Sequence, residues 1–145
     1  MFAEYDTSEF PLVNIQLGET IKENEEYEQF IREWTKLYLL KKDFLFIIDA
    51  RMTGFVPFKY AFKMTEFIDK LKKMENQFLK RSIIIIHNSI VEYTLRFIFK
   101  ISKPVAPIYL VYSMDDALKL NNILTFPELI HNRKLKTIHY VYISP

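Results

Sequence analysis

Phe44–Asp49 (FLFIID), Ile83–Asn88 (IIIIHN) and Pro107–Ser113 (PIYLVYS) are three apolar runs that each end in polar residues and lead into an amphipathic segment. Near-continuous Ile, Val, Leu and Phe strands that alternate with helices imply a sheet buried on both faces. The fold class expected is therefore α/β, a mixed, largely parallel sheet covered by helices. In such sheets ligands and partners meet the carboxyl ends of the strands.

Working outward, Leu12–Leu17 (LVNIQL) alternates, with Val13, Ile15 and Leu17 on one face, and reads as a further strand. From Asn24 to Leu40, the residues Tyr27, Phe30, Ile31, Trp34, Leu37 and Tyr38 recur at the spacing of one buried helical stripe. Asn24 is placed to cap that helix, and Glu25, Glu26 and Glu28 suit the positive end of its dipole. After Asp49 comes a loop, Arg51–Val56, in which Gly54 could take a positive φ. Pro57 suits the first turn of a helix that reaches Met74. Ser89 and Glu92 match a capping box, and Ser113 opens a second capped helix that runs to Leu124. The tail, 125–145, stands apart from the α/β domain of 1–124 as an extension with one strand, Thr137–Ile143. Both faces of that strand are apolar, so it packs back on its own domain or docks on another chain.

The 145 residues form one domain, long enough for a real core. Half are hydrophobic and 16% aromatic, which argues against disorder. No run approaches the ~18 apolar residues of a membrane span, and the N-terminal MFAEYDTSEF has no signal-peptide core. A cytoplasmic, intracellular protein is expected. With no cysteine, disulfides, thiolate metal sites and cysteine nucleophiles are excluded. Charge is asymmetric. Residues 1–28 hold eight acids against Lys22 alone, whereas the other 117 residues hold 19 bases and 10 acids.

The LVNIQL strand, a first helix with a central Trp34, the FLFIIDA strand, the helix beginning PFKYAFKMTEFI and the passage IYLVYSMDDALKL occur in this order. Over residues 10–124 the chain resembles the STAS domains and their SpoIIAA-like relatives, which share the broader fold of Sec14-type lipid-binding domains. The resemblance implies a non-enzymatic module that binds other protein chains in a regulatory cascade, many members being switched by phosphorylation before the helix that follows the central strand. There the chain departs from the family pattern. Ala-Arg-Met-Thr-Gly-Phe-Val-Pro-Phe replaces the expected aspartate and serine, leaving Thr53 as the sole nearby phosphoacceptor and arguing against a kinase-controlled switch.

If the strands are parallel, Asp49, His87 and Ser113 share a rim with Arg51, Thr53 and Asn88. A carboxylate, an imidazole and a hydroxyl invite a hydrolase reading. Against it, Ser113 and Ser89 are needed as caps, no Gly-x-Ser-x-Gly elbow exists, and two glycines leave little room for an oxyanion hole. His87, His131 and His139 lack metal-ligand spacing. No metal and no cofactor is expected. A basic cluster of Lys70, Lys72, Lys73, Lys80 and Arg81 raises nucleic-acid binding, which the acidic first 28 residues oppose. The expected partner is a protein or a second copy, met at Asp49, Arg51, Thr53 and His87, at the helix from Pro57, and at Tyr140 and Tyr142 of the tail. Two rivals are a structural subunit that donates the tail strand to a larger assembly and a carrier of lipid or a small apolar ligand.

Overall fold

The computed structural model describes residues 1–126 and 138–145. The strands are β1 (Ala3–Asp6), β2 (Leu12–Leu17), β3 (Phe44–Asp49), β4 (Leu79–Ile85), β5 (Ile108–Val111) and β6 (Tyr140–Ile143). The helices are α1 (Asn24–Leu39), α2 (Phe58–Lys72), α3 (Ser89–Ile101) and α4 (Met114–Thr125). The strands lie side by side in sequence order; β2 to β5 are parallel, and β1 and β6 run antiparallel at the two edges. The result is a single α/β domain with a mixed, mostly parallel sheet. His131 and Thr137 lie outside the described residues.

Residues paired across a sheet share a face, so the register decides which side each strand residue serves. One row runs Tyr5, Ile15, Ile48, Ile84, Leu110, Val141, and a neighbouring row Val13, Phe46, Ser82, Ile108, Ile143. Against these pack Phe30 and Trp34 of α1, Phe67 and Leu71 of α2, and Val91 of α3, forming the larger core. Crossovers of one hand between sequentially ordered parallel strands put all their helices on the same side, and α1, α2 and α3 obey this. The opposite face carries Ile47, Ile83, Ile85 and Val111, covered by Ala117, Leu120 and Ile123 of α4. The apolar part of that face is centred on β3–β5, with Leu12 of β2 and Tyr140 of β6 at its margins. Over β1 and β2 it shows Glu4, Asp6, Asn14 and Gln16, which with Asp49 line an open polar groove beside Met114.

The sequence expectations hold in outline and shift in detail. Of the stripe expected on α1, Tyr27, Phe30, Trp34, Leu37 and Tyr38 are buried. Its cap is Glu23 rather than Asn24, with the Glu26 carboxylate accepting from the amides of Lys22 and Glu23. Asn24 is used elsewhere, as its Oδ1 accepts the Tyr60 hydroxyl at 2.9 Å and joins α1 to α2. For α3 the cap is Asn88, one residue before the expected Ser89, whereas Ser113 caps α4 as expected. Gly54 does not use a positive φ; among the described residues Lys41, at 55°, is the residue that does. The tail strand pairs within the chain: Val141 and Ile143 pack on the larger core, and Tyr140 on the smaller one. That two-sided packing explains its two apolar faces.

Candidate functional site

Three strand ends, Asp49, Ile85 and Val111, stand level at one rim of the sheet, because Asp49 pairs with Ile85 and Ile85 with Val111. From this rim the chain enters the loop 50–57. Ala50 continues the ladder by donating its amide to Ile85 O at 2.8 Å, and Thr53 N closes a turn on Ala50 O at 3.1 Å. The loop is then tied on both flanks. Toward β2, Gly54 N donates to Glu19 O at 2.9 Å and the Thr53 hydroxyl to Gly18 O at 2.8 Å. Toward β4, Asn88 Nδ2 donates to Thr53 O at 2.9 Å while its Oδ1 accepts Val91 N at 3.0 Å. One side chain thus caps α3 and holds the rim loop.

With its backbone fixed this way, the loop turns large apolar side chains outward. Met52 is 61% exposed and Phe55 67%. The surface continues onto α2 and α3, where Phe58 and Phe62 cluster with Phe97, Phe62 meeting both other rings edge-on, with ring centroids 4.8 to 5.8 Å apart. Ile90 and Tyr93, on the first turns of α3, are also exposed. Scattered exposed apolar residues are ordinary, whereas these large ones are concentrated on two helix starts and one pinned loop.

The polar residues of the rim are paired off rather than assembled for chemistry. Arg51 grips Asp49 with two side-chain bonds, Nε to Oδ1 at 3.0 Å and Nη2 to Oδ2 at 2.7 Å, and adds its backbone amide at 3.1 Å. Hydrogen bonding from the Arg51 side chain holds the Asp49 carboxyl below its ordinary value despite the opposing effect of burial. His87 is exposed, and no hydrogen bond joins it to Asp49 or Ser113. Ser113 Oγ accepts the amide of Asp116 as a helix cap. Thr53 is 3% exposed with its hydroxyl turned inward, so in the folded chain a kinase has no access to it. Among the described residues no group of three or more His, Asp or Glu side chains is placed to hold a metal ion.

Asp49, Arg51, Thr53 and His87 therefore do come together at one rim. Tyr140 and Tyr142 do not join them. Both lie on the α4 face, packed on Tyr109 at 5.7 and 5.1 Å, and Tyr140 is three strands from Asp49, roughly 14 Å at ordinary strand spacing. The basic cluster also divides. Arg81 is drawn under α4, donating to Asn121 and Thr125, and Lys80 reaches Asp43 at 3.7 Å. Met52 and Phe55 are not among the site residues expected from the sequence, and Phe58 and Phe62 enter only through the expectation of a partner surface on the helix from Pro57. Only the run of aromatics around Pro57, too many for one buried stripe, could have flagged them.

In comparisons with known proteins, no family model, no curated protein and no solved structure matches the chain. Among the described residues, no helix is long and apolar enough to cross a membrane.

Proposed function

We propose that this chain is a non-enzymatic protein-interaction domain of the STAS/SpoIIAA-like kind, docking a partner chain or a second copy of itself at the apolar rim. The observation that carries the reading is the combination of a fixed backbone and outward aromatics at the loop 50–57. A loop already held in one conformation loses little entropy on binding, and exposed Phe and Met side chains supply anchors for it. The repeated strand–helix order, β2-α1-β3-α2-β4-α3-β5-α4, supports the family reading. Arg51, exposed beside Asp49, adds a charge at the border of the apolar surface, where charges favour orientation over affinity.

The test is site-specific photo-crosslinking in an extract of the native source, with a benzophenone side chain at position 55 or 62 and, as control, at Leu118 on the exposed side of α4. Adducts of one mass from 55 and 62, and none from 118, are expected. An adduct of twice the chain's mass identifies a second copy; any other single mass identifies a different protein. No adduct at 55 and 62, or the same adducts at all three positions, overturns the proposal.

A further inference from the structure

The helices α1, α2 and α3 all start on the rim side and finish at the other end of the sheet, where β3, β4 and β5 begin. Each finishes on exposed lysines with an exposed, flexible apolar side chain beside them. α1 closes on Leu39 and Leu40, and the chain then passes through Lys41 and Lys42. α2 closes through Lys70, Lys72 and Lys73 to Met74. α3 closes on Lys100 and Ile101, with Lys103 just beyond. Residues 39–43, 69–81 and 100–107 together hold nine bases and three acids. Of those bases, Lys80 and Arg81 are engaged, by Asp43 and by α4. None of the other seven has a carboxylate within 4 Å among the described residues.

The charge asymmetry of the sequence is therefore also an asymmetry in space. Glu23, Glu25 and Glu26 stand at the start of α1, at the opposite end, and Glu4 and Asp6 line the polar groove. Glu9, in the turn from β1 to β2, is the exception. Lysines at helix C-termini are favourable in their own right, because they meet the negative end of the dipole. That accounts for the charges and leaves two observations. Aliphatic side chains stand in water among them, with Leu39 70% exposed and Ile101 51%. Lys41, at φ 55°, occupies the left-handed position just past a helix where glycine is usual, so a charged side chain is kept there against the backbone's preference. A nucleic-acid phosphate backbone would use the lysines and leave the aliphatics idle. A lipid surface uses both, since anionic headgroups attract lysines and apolar side chains enter the boundary between headgroups and acyl chains. We infer that this end of the domain docks on the surface of an anionic membrane. Packed helices lie roughly 8–10 Å apart, so the three helix ends span about 20 Å and meet the surface as one charge cluster. The six residues of β3 set this end roughly 20 Å from the docking rim, so a membrane and a partner can be held at once.

The test is co-sedimentation of the full chain with vesicles of phosphatidylcholine alone, or of phosphatidylcholine with about 30% phosphatidylserine, at roughly 0.1 M salt. Saturable binding to the serine-containing vesicles and none to the others is expected. Lys72→Gln combined with Lys73→Gln should weaken it roughly 25-fold, at about fivefold for each charge near the surface. Leu39→Ser combined with Ile101→Ser should weaken vesicle binding by about tenfold or more, and should leave any binding to a single-stranded oligonucleotide unchanged. All four positions are exposed, so melting temperatures should not move. Phe58→Ser, at the docking rim, should bind vesicles as the original chain does. No binding to the anionic vesicles, or equal binding to both kinds, overturns the inference. So does vesicle binding that survives the loss of Leu39 and Ile101 while an oligonucleotide competes with it, which would make the surface a nucleic-acid site. Loss of vesicle binding in Phe58→Ser would move the contact to the rim and overturn it as well.

Discussion

Replacing Asn88 with alanine removes two bonds at once, and the structure separates them. Oδ1 accepts Val91 N as the α3 cap, and loss of such a cap costs about 1 kcal/mol. Nδ2 holds Thr53 O on the rim loop, a partly buried bond worth about another 1 kcal/mol. Asn88→Ala should therefore cost about 2 kcal/mol in total, or roughly 4–8 °C in Tm for a chain of this length. Asn88→Ser keeps a capping oxygen but not the bridge, and should lose about 1 kcal/mol. Asn88→Asp also keeps the cap, gains from its charge at the helix N-terminus, and sets an oxygen against the Thr53 carbonyl. It should fall between the serine variant and the original chain. The assay is urea unfolding, read as a change in midpoint at constant slope. Hydrogen exchange at the Gly54 amide, bonded to Glu19 O, reports the loop separately and should speed up in all three variants. Serine and alanine variants of equal stability would remove the cap from the account. An alanine variant losing less than about 0.5 kcal/mol, with Gly54 exchange unchanged, would refute the claim that Asn88 fixes the rim.

Other consequences can be measured on the same chain. A carboxyl whose folded pKa is depressed stabilises the fold above its unfolded pKa, about 3.9, and that contribution is lost as pH falls through the lower folded value. Asp49→Asn should thus be less stable than the original at neutral pH, with the gap closing below about pH 4, and a gap constant across that range would contradict the Asp49–Arg51 pairing. Thr53→Glu forces a charge into a site that is 3% exposed and should cost more than about 3 kcal/mol by urea unfolding, whereas a phosphorylation switch at this position would leave the fold intact. A chain ending at His139 loses the Val141 and Ile143 packing and uncovers the β5 edge; a loss on the order of 3 kcal/mol with concentration-dependent association is expected, and an equally stable truncation would show that β6 adds nothing to the core. Phe58→Ser and Phe62→Ser, both at half-exposed positions, should each cost under about 1.5 kcal/mol while reducing crosslinking from position 55; thermal melts alongside the crosslinking yield check both.

The parts of the fold legible in the sequence were those where local pattern and tertiary position agree. FLFIID and IIIIHN are apolar on both faces because both faces are covered, and the α1 stripe is continuous because one sheet face receives it. Several features escaped because local signals undersell them. β1 is four residues, Ala3–Asp6, with Glu4 and Asp6 turned to the polar groove, so half of its pattern reads as an acidic tail. β4 starts at Leu79 rather than Ile83, since its first residues include Lys80, which is exposed, and Arg81, whose guanidinium is tucked under α4, so the start of the strand does not read as apolar. α4 precedes an antiparallel strand, so the one-hand rule that places α1, α2 and α3 does not fix its side, and periodicity does not encode it either. At the candidate site, the rim residues Asp49, Arg51, Thr53 and His87 follow from strand ends and were readable. The inward turn of Thr53 and the outward turn of Met52 and Phe55 depend on bonds to Gly18, Glu19 and Asn88, which lie more than 30 residues away in sequence.

Every ladder joins strands consecutive along the chain, so each strand can pair with one already made. A nascent chain needs no later segment to pair the strand it has just completed, and topologies of this kind suit folding that accompanies translation. The vulnerable moment comes after β4 has been made and before α4 exists to cover it, when Ile83 and Ile85 face solvent without protection. A pause in synthesis between those two points would hold out an uncovered isoleucine surface, the kind of transiently exposed apolar face on which incomplete chains associate.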